Sequence, residues 1–113
     1  MDIEAIRAYC LKLPHTAEDI KWEQHLCFTI GAKMFCITDL QDPYRICVKV
    51  TPEDFHHFTQ FEHIIQAPYF AKTQWILIKN TALMDKKELK RLLKNSYLLV
   101  RSKLPKKMQL SLS

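Results

Sequence analysis

Apolar residues recur at Ile3, Ile6, Tyr9, Cys10 and Leu13, a spacing that puts them on one side of a helix running from Asp2 to Leu13. Asp2 supplies the N-cap and Pro14 the stop. From Ile20 to Val50 the period changes to two. Leu26, Phe28 and Ile30 fall on one side, and Ile46, Val48 and Val50 do the same against Arg45, Cys47 and Lys49, the pattern of antiparallel strands with one buried face. Gly31 is the only glycine. With Ala32 it fits a two-residue hairpin of type II′, whose first central residue needs positive φ. Asp42-Pro43 marks a looser turn into a third strand.

"TPEDFHHF" has the composition of a helix start, with Thr51 as cap, Pro52 at the first helical position and acids in the first turn; the helix is expected to end near Phe61. Pro68 argues against a central strand at its own position, while Gln74 to Lys79 is β-branched and aromatic enough for one more strand. Asp85 and Glu88 form an Asp-x-x-Glu variant of the capping box and open a last helix. The expected order is α-β-β-β-α-β-(β)-α, an α+β fold of two layers with helices packed on an antiparallel sheet. Trp22, Trp75, Phe28, Phe35, Phe58 and Phe70 are assigned to its core, each indole N–H satisfied by a backbone carbonyl.

The chain has 113 residues, the size of one domain spanning 1–113, able to bury roughly 65% of its extended-chain surface. The tail after about residue 105 is expected to fray. No apolar run approaches the ~18 residues of a membrane span, and acids stand where a signal peptide carries basic residues, so a cytoplasmic location is expected and no membrane partner. Cys10, Cys27, Cys36 and Cys47 sit in apolar runs without a CxxC pair and are expected to be buried thiols.

Charge changes the picture more than composition does. Residues 1–83 carry eight basic and ten acidic side chains, a net −2, and residues 84–113 carry nine and two, a net +7. On a helix, Lys86, Lys87, Lys90, Arg91, Lys94 and Arg101 fall within an arc of roughly 140°, with Leu89, Leu92, Leu93, Leu99 and Val100 opposite; Tyr97 and Leu98 interrupt the basic arc. A solvated helix face ordinarily mixes Glu with Lys at i, i+4. A face of one sign fits a polyanion, and the phosphate backbone of nucleic acid is the expected partner, with Lys106 and Lys107 extending the surface and Lys33 at the hairpin tip adding a wing-like contact. The alternative is a protein-interaction module that meets an acidic partner or a second copy of itself and binds no nucleic acid.

Chemistry is otherwise thin. His56 and His57 stand about 100° apart on a helix, and no metal spacing accompanies the five histidines, so no metal or cofactor is expected. One glycine rules out Gly-rich phosphate loops and nucleophile elbows. The acidic pairs Glu18-Asp19 and Glu53-Asp54 suit a loop and a helix N-terminus. No enzyme is expected.

The blocks "AYCLKLP", "LCFTIGAKMFCIT", "RICVKVTPEDF", "APYFAKTQWILI" and "SYLLVRSKLPKK", together running from about Ile6 to Lys107, resemble the MmcQ/YjbR family. Two places depart from that family's pattern: Gly31-Ala32 stands where many members have Gly-Gly, and "EDIKWEQ" where they have a Pro-Phe-Gly loop. The resemblance implies a two-layer α+β fold, often called CyaY-like, and a DNA-binding role. It fixes only the Leu104–Lys107 close among the basic residues, so the other candidate contacts rest on the charge arc.

Overall fold

A computed structural model describes residues 1–68 and 74–112; Phe70, assigned above to the core, lies outside them. The elements are α1 (Ile3–Lys12), β1 (Thr16–Lys21), β2 (His25–Ile30), β3 (Lys33–Asp39), β4 (Asp42–Lys49), α2 (Pro52–Phe58), β5 (Ile64–Gln66), β6 (Trp75–Ile78), a 3-10 turn at Thr81–Leu83, α3 (Lys86–Ser102) and α4 (Lys106–Ser111). The sheet is antiparallel throughout, in the order β1-β2-β3-β4-β6-β5. The α+β class holds, and the run before α2 divides into four strands rather than three. The added strand is β1, a polar edge strand exposed along most of its length, which carries no buried alternation to betray it.

One core lies between the sheet and the helices. Ile6 and Cys10 of α1, Phe58 of α2 and Leu89, Leu92, Leu93 and Val100 of α3 meet Phe28, Ile30, Ile46, Val48, Ile76 and Ile78 from the strands. The caps of the first two helices are as expected: Asp2 accepts from the Ala5 amide at 3.0 Å and Thr51 from the Asp54 amide at 3.1 Å. α2 stops at Phe58, before Phe61. Asp85 precedes α3 without a side-chain cap hydrogen bond, and the side chain of Glu88, the other half of the expected box, is drawn forward to Arg91 at 2.8 Å.

β3 carries one residue more than β2 across from it. Phe28 pairs with Cys36 and Thr29 with Met34, which leaves Phe35 as a bulge. The β3–β4 ladder then has Cys36 opposite Val48 as its last pair, so the Phe35 carbonyl and the Lys49 amide, next in register, do not bond each other. Ser96 of α3 stands between them. Its hydroxyl donates to the Phe35 carbonyl and accepts from the Lys49 amide at 2.9 Å. Ser96 is fully buried, and the bridge leaves none of the three groups unpaired. The Phe35 ring packs edge-on against Tyr97, whose hydroxyl donates to the Pro14 carbonyl at 2.7 Å.

Several turns differ from expectation. Gly31 and Ala32 both have positive φ, +56° and +66°, which makes the hairpin type I′ rather than II′. The β3–β4 turn is Leu40-Gln41, closed by the Gln41 amide on Asp39 at 2.8 Å; Asp42-Pro43 already belongs to β4, where a register shift between Thr38 and Asp39 tolerates a residue without an amide. Trp22 is not a core residue. It sits in the three-residue β1–β2 loop at φ +53°, followed by Glu23 at +65°, and is 65% exposed. The stretch after Pro105, expected to fray, forms α4.

α4 closes over the hairpin tip. A Cβ built on Gly31 would lie 2.7 Å from Met108 Sδ and 2.8 Å from Leu104 Cδ1, so this glycine is required both by its φ and by what lies on it. Ala32 has the same φ problem and is exposed. The two positions should therefore respond with opposite signs: Gly31→Ala is expected to destabilise by about 1–2 kcal/mol, and Ala32→Gly to stabilise by roughly 0.5 kcal/mol after the added chain entropy of glycine. Chemical denaturation of the two variants checks this, and a loss of stability in Ala32→Gly would contradict the turn described.

Candidate anion-binding surface

α3 is 17 residues long, about 25 Å at 1.5 Å per residue. Leu89, Leu92, Leu93 and Val100 of its apolar stripe are buried in the core, with Leu99 half-buried, which turns its lysines outward. Lys86, Lys87, Lys90 and Lys94 are all exposed, and Lys90 Nζ lies 6.0 Å above the Tyr9 ring of α1. Tyr97 does not interrupt the basic face, because α1 covers it and it is buried; Leu98 does, at 44% exposure.

Arg91 does not join the lysines. Its guanidinium donates to Glu88 at 2.8 Å and to Asp54 of α2 at 3.2 Å, and these hydrogen bonds, Glu88 first, raise its pKa above the ordinary arginine value. It fastens α2 to α3, and its charge is already answered. The other ion pairs among the described residues are Arg7–Glu18 and Lys21–Asp19; none involves Lys86, Lys87, Lys90 or Lys94.

The remaining predicted cations lie at the far end of α3 in two separate places. Arg101 and Lys106 flank a shallow groove with Leu98, Gln109 and Leu110 between α3 and α4, and Lys107 is exposed on α4. Lys33 is not beside the stripe. It lines a different groove, of about 280 Å³, with Met34, Lys49, Trp75, Lys103 and Leu104. Lys49 and Lys103 are cations that reasoning from the sequence missed. The alternation of β4 does place Lys49 off the core face, but nothing in the sequence brings it to the end of α3.

The sheet face away from the helices has a cavity of about 490 Å³, within the range of small-molecule sites. Ile37, Cys47 and Leu77, which are in register across β3, β4 and β6, lie along it, with Trp22, His25 and Arg45 also in its lining. Trp22 meets His25 edge-on at 5.8 Å. A cysteine and a histidine in one cavity are the residue types of a thiol–imidazole pair, but here burial pushes the Cys47 thiol up to about 11. His25 Nδ1 lies 3.0 Å from the Thr38 carbonyl, an interaction that requires Nδ1 to carry a proton. At neutral pH the thiol is protonated and not activated. Among the described residues no three His, Cys, Asp or Glu side chains gather as a metal site, and no helix is long and apolar enough to cross a membrane.

A two-layer α+β module with helices on one sheet face and lysines unanswered by acids is the class these features define. A family model described as YjbR matches residues 11–99, and the chain belongs to that family. It is similar over 97% of its length, at 28% identity and a TM-score of 0.88, to 86% of a Deinococcus radiodurans protein whose crystal structure is described as a DUF419 domain. A Pseudomonas syringae protein of known structure shares the fold, at 20% identity and a TM-score of 0.72 over 88% of this chain and 99% of that one. No curated protein matches.

All four cysteines are free; Cys10, Cys27 and Cys36 are buried and Cys47 partly so. Burial pushes Cys27 up to about 11 as well, and Cys36, hydrogen-bonded with Cys10 and buried, is raised well above the ordinary thiol value. A thiol whose pKa is higher folded than unfolded contributes stability fully below the unfolded value of about 8.5 and loses it as pH climbs through the folded one. The melting temperature should hold up to about pH 8.5 and fall steadily toward pH 11, and thiol reagents should label the native protein slowly at neutral pH. Rapid labelling of Cys27 or Cys36 at pH 7 would contradict the burial described.

Proposed function

We propose that this chain is a nucleic-acid-binding module that grips the phosphate backbone with the outer face of α3. The observation that carries the reading is the contrast along one helix. Arg91 has two carboxylates, whereas Lys86, Lys87, Lys90 and Lys94 are exposed and have none within ion-pairing distance among the described residues. Lys86 and Lys87 occupy the first turn, where the helix dipole disfavours cations, so their placement costs stability that an anionic partner returns. Arg101 in the last turn of α3 and Lys106 and Lys107 of α4 add further cations at its far end. Lysine contacts of this kind give affinity and position without reading bases, so binding is expected across unrelated sequences in the cytoplasm.

Reversal of Lys90 and Lys94 to Glu tests the reading without touching the core. Wild-type affinity for duplex DNA should fall steeply with salt, with a log-log slope of roughly −0.9 per phosphate neutralised, and the double variant should bind more weakly with a slope shallower by about 2. Circular dichroism should report an unchanged fold. Absence of wild-type binding to duplex and single strands at ~50 mM salt would leave the stripe as a solvated face and favour the protein-interaction alternative.

A further inference from the structure

Lys33, Lys49 and Lys103 come from three distant points of the chain and line one groove. Lys33 opens β3 beside the hairpin that α4 covers, Lys49 ends β4 opposite Trp75 of β6, and Lys103 caps α3. No carboxylate is among the described lining residues, and none of the three lysines has an ion pair among the described residues.

This arrangement costs the free protein stability. Lys49 is half-buried, and burial, followed by the charge of Lys103, lowers its pKa below the ordinary lysine value. Its backbone amide is held by Ser96 at 2.9 Å, which fixes the point from which the side chain enters the groove. Three ammonium groups around a pocket with an apolar wall from Met34, Trp75 and Leu104 are a cradle for a compact, multiply charged anion with several acceptor oxygens.

We propose that this groove is a binding site for a phosphoryl group, either the terminal phosphate of a nucleic-acid strand or that of a small phosphorylated molecule, with Lys49 as its central ligand. The site is separate from the outer face of α3 and does not depend on that face binding a phosphate backbone. Bound phosphate relieves the Lys49–Lys103 repulsion and accepts hydrogen bonds from both, so the groove is destabilising when empty and stabilising when filled.

The test measures melting temperatures in inorganic phosphate and in sodium chloride of matched ionic strength. Phosphate should raise the wild-type value, and Lys49→Met should raise the melting temperature in chloride while abolishing the rise with phosphate. Titration calorimetry should show phosphate affinity reduced at least about tenfold. The Lys90→Glu, Lys94→Glu double variant should keep the full response to phosphate, which separates this site from the α3 face. Lys103→Gln, an exposed position, carries the same expectation if Lys49→Met does not fold. Oligonucleotides with a 5′-phosphate or a 5′-hydroxyl identify the source: preference for the phosphate end assigns a strand terminus, and equal affinity assigns a small phosphorylated molecule, the phosphoryl site standing in either case. Wild-type protein that responds to phosphate no more than to chloride, or a Lys49 variant that keeps the response, overturns the proposal.

Discussion

The extra residue that β3 carries at Phe35 parts one carbonyl from the amide that would have bonded it, and the hydroxyl of Ser96 takes both. An unanswered donor or acceptor in a dry interior costs about 1–3 kcal/mol, so this one side chain removes a penalty from the sheet and at the same time fixes the depth and rotation of α3. Because Ser96 sits in the apolar stripe between Leu92, Leu93 and Val100, the rest of that stripe is pressed onto the core, and the lysines on the other side of the helix can only face outward. The bulge also turns Phe35 toward Tyr97, whose hydroxyl reaches the end of α1. Sheet, α1 and α3 thus meet at a single junction.

Charge is distributed around this junction in two regimes. Where α2 approaches α3, the cation is Arg91 and two acids meet it, a structural clamp whose long side chain also lies 6.0 Å from the Phe58 ring. Along the outer face of α3 and in the groove beside Lys49, cations stand without acids. Proteins ordinarily intersperse the two signs, and the one-sided regions are those that reach solvent at a helix face and at the end of the sheet. The opposite sheet face is different in kind: an apolar row under an exposed Trp22, next to a thiol held protonated by burial.

Much of this was legible in the chain. The 3.6-residue period placed α1 and the two-residue period the core-facing residues of β2 and β4, whereas α2 and α3 were announced by their start signals, Thr51-Pro52 followed by acids and Asp85 followed by Glu88. The single glycine located the hairpin, although which of its two residues carried positive φ was set by both. β1 was hidden because an edge strand made of Thr, Ala, Glu, Asp, Ile and Lys buries nothing periodic. Trp22 was assigned to the core as a large apolar residue in a strand-like run; its place was decided by where β1 ends, at Lys21, which the run does not record. The capping box at Asp85 did not form: Asp85 makes no side-chain cap bond, and Glu88 is paired with Arg91, itself held by an acid 37 residues away. Of the candidate cations, the α3 stripe was readable from angles alone, whereas Lys49 and Lys103 join Lys33 only through the tertiary closure that the Ser96 bridge and α4 provide.

Amide hydrogen exchange at Lys49 tests that closure most directly. With the bridge in place, this terminal residue of β4 should exchange as slowly as the ladder amides of Cys47 and Val48, and Ser96→Ala should accelerate Lys49 by about tenfold or more beyond any change in those neighbours. A Lys49 amide that exchanges at the rate of an open loop in the wild-type protein, or one that changes in Ser96→Ala only as much as Cys47 and Val48 do, would contradict the account.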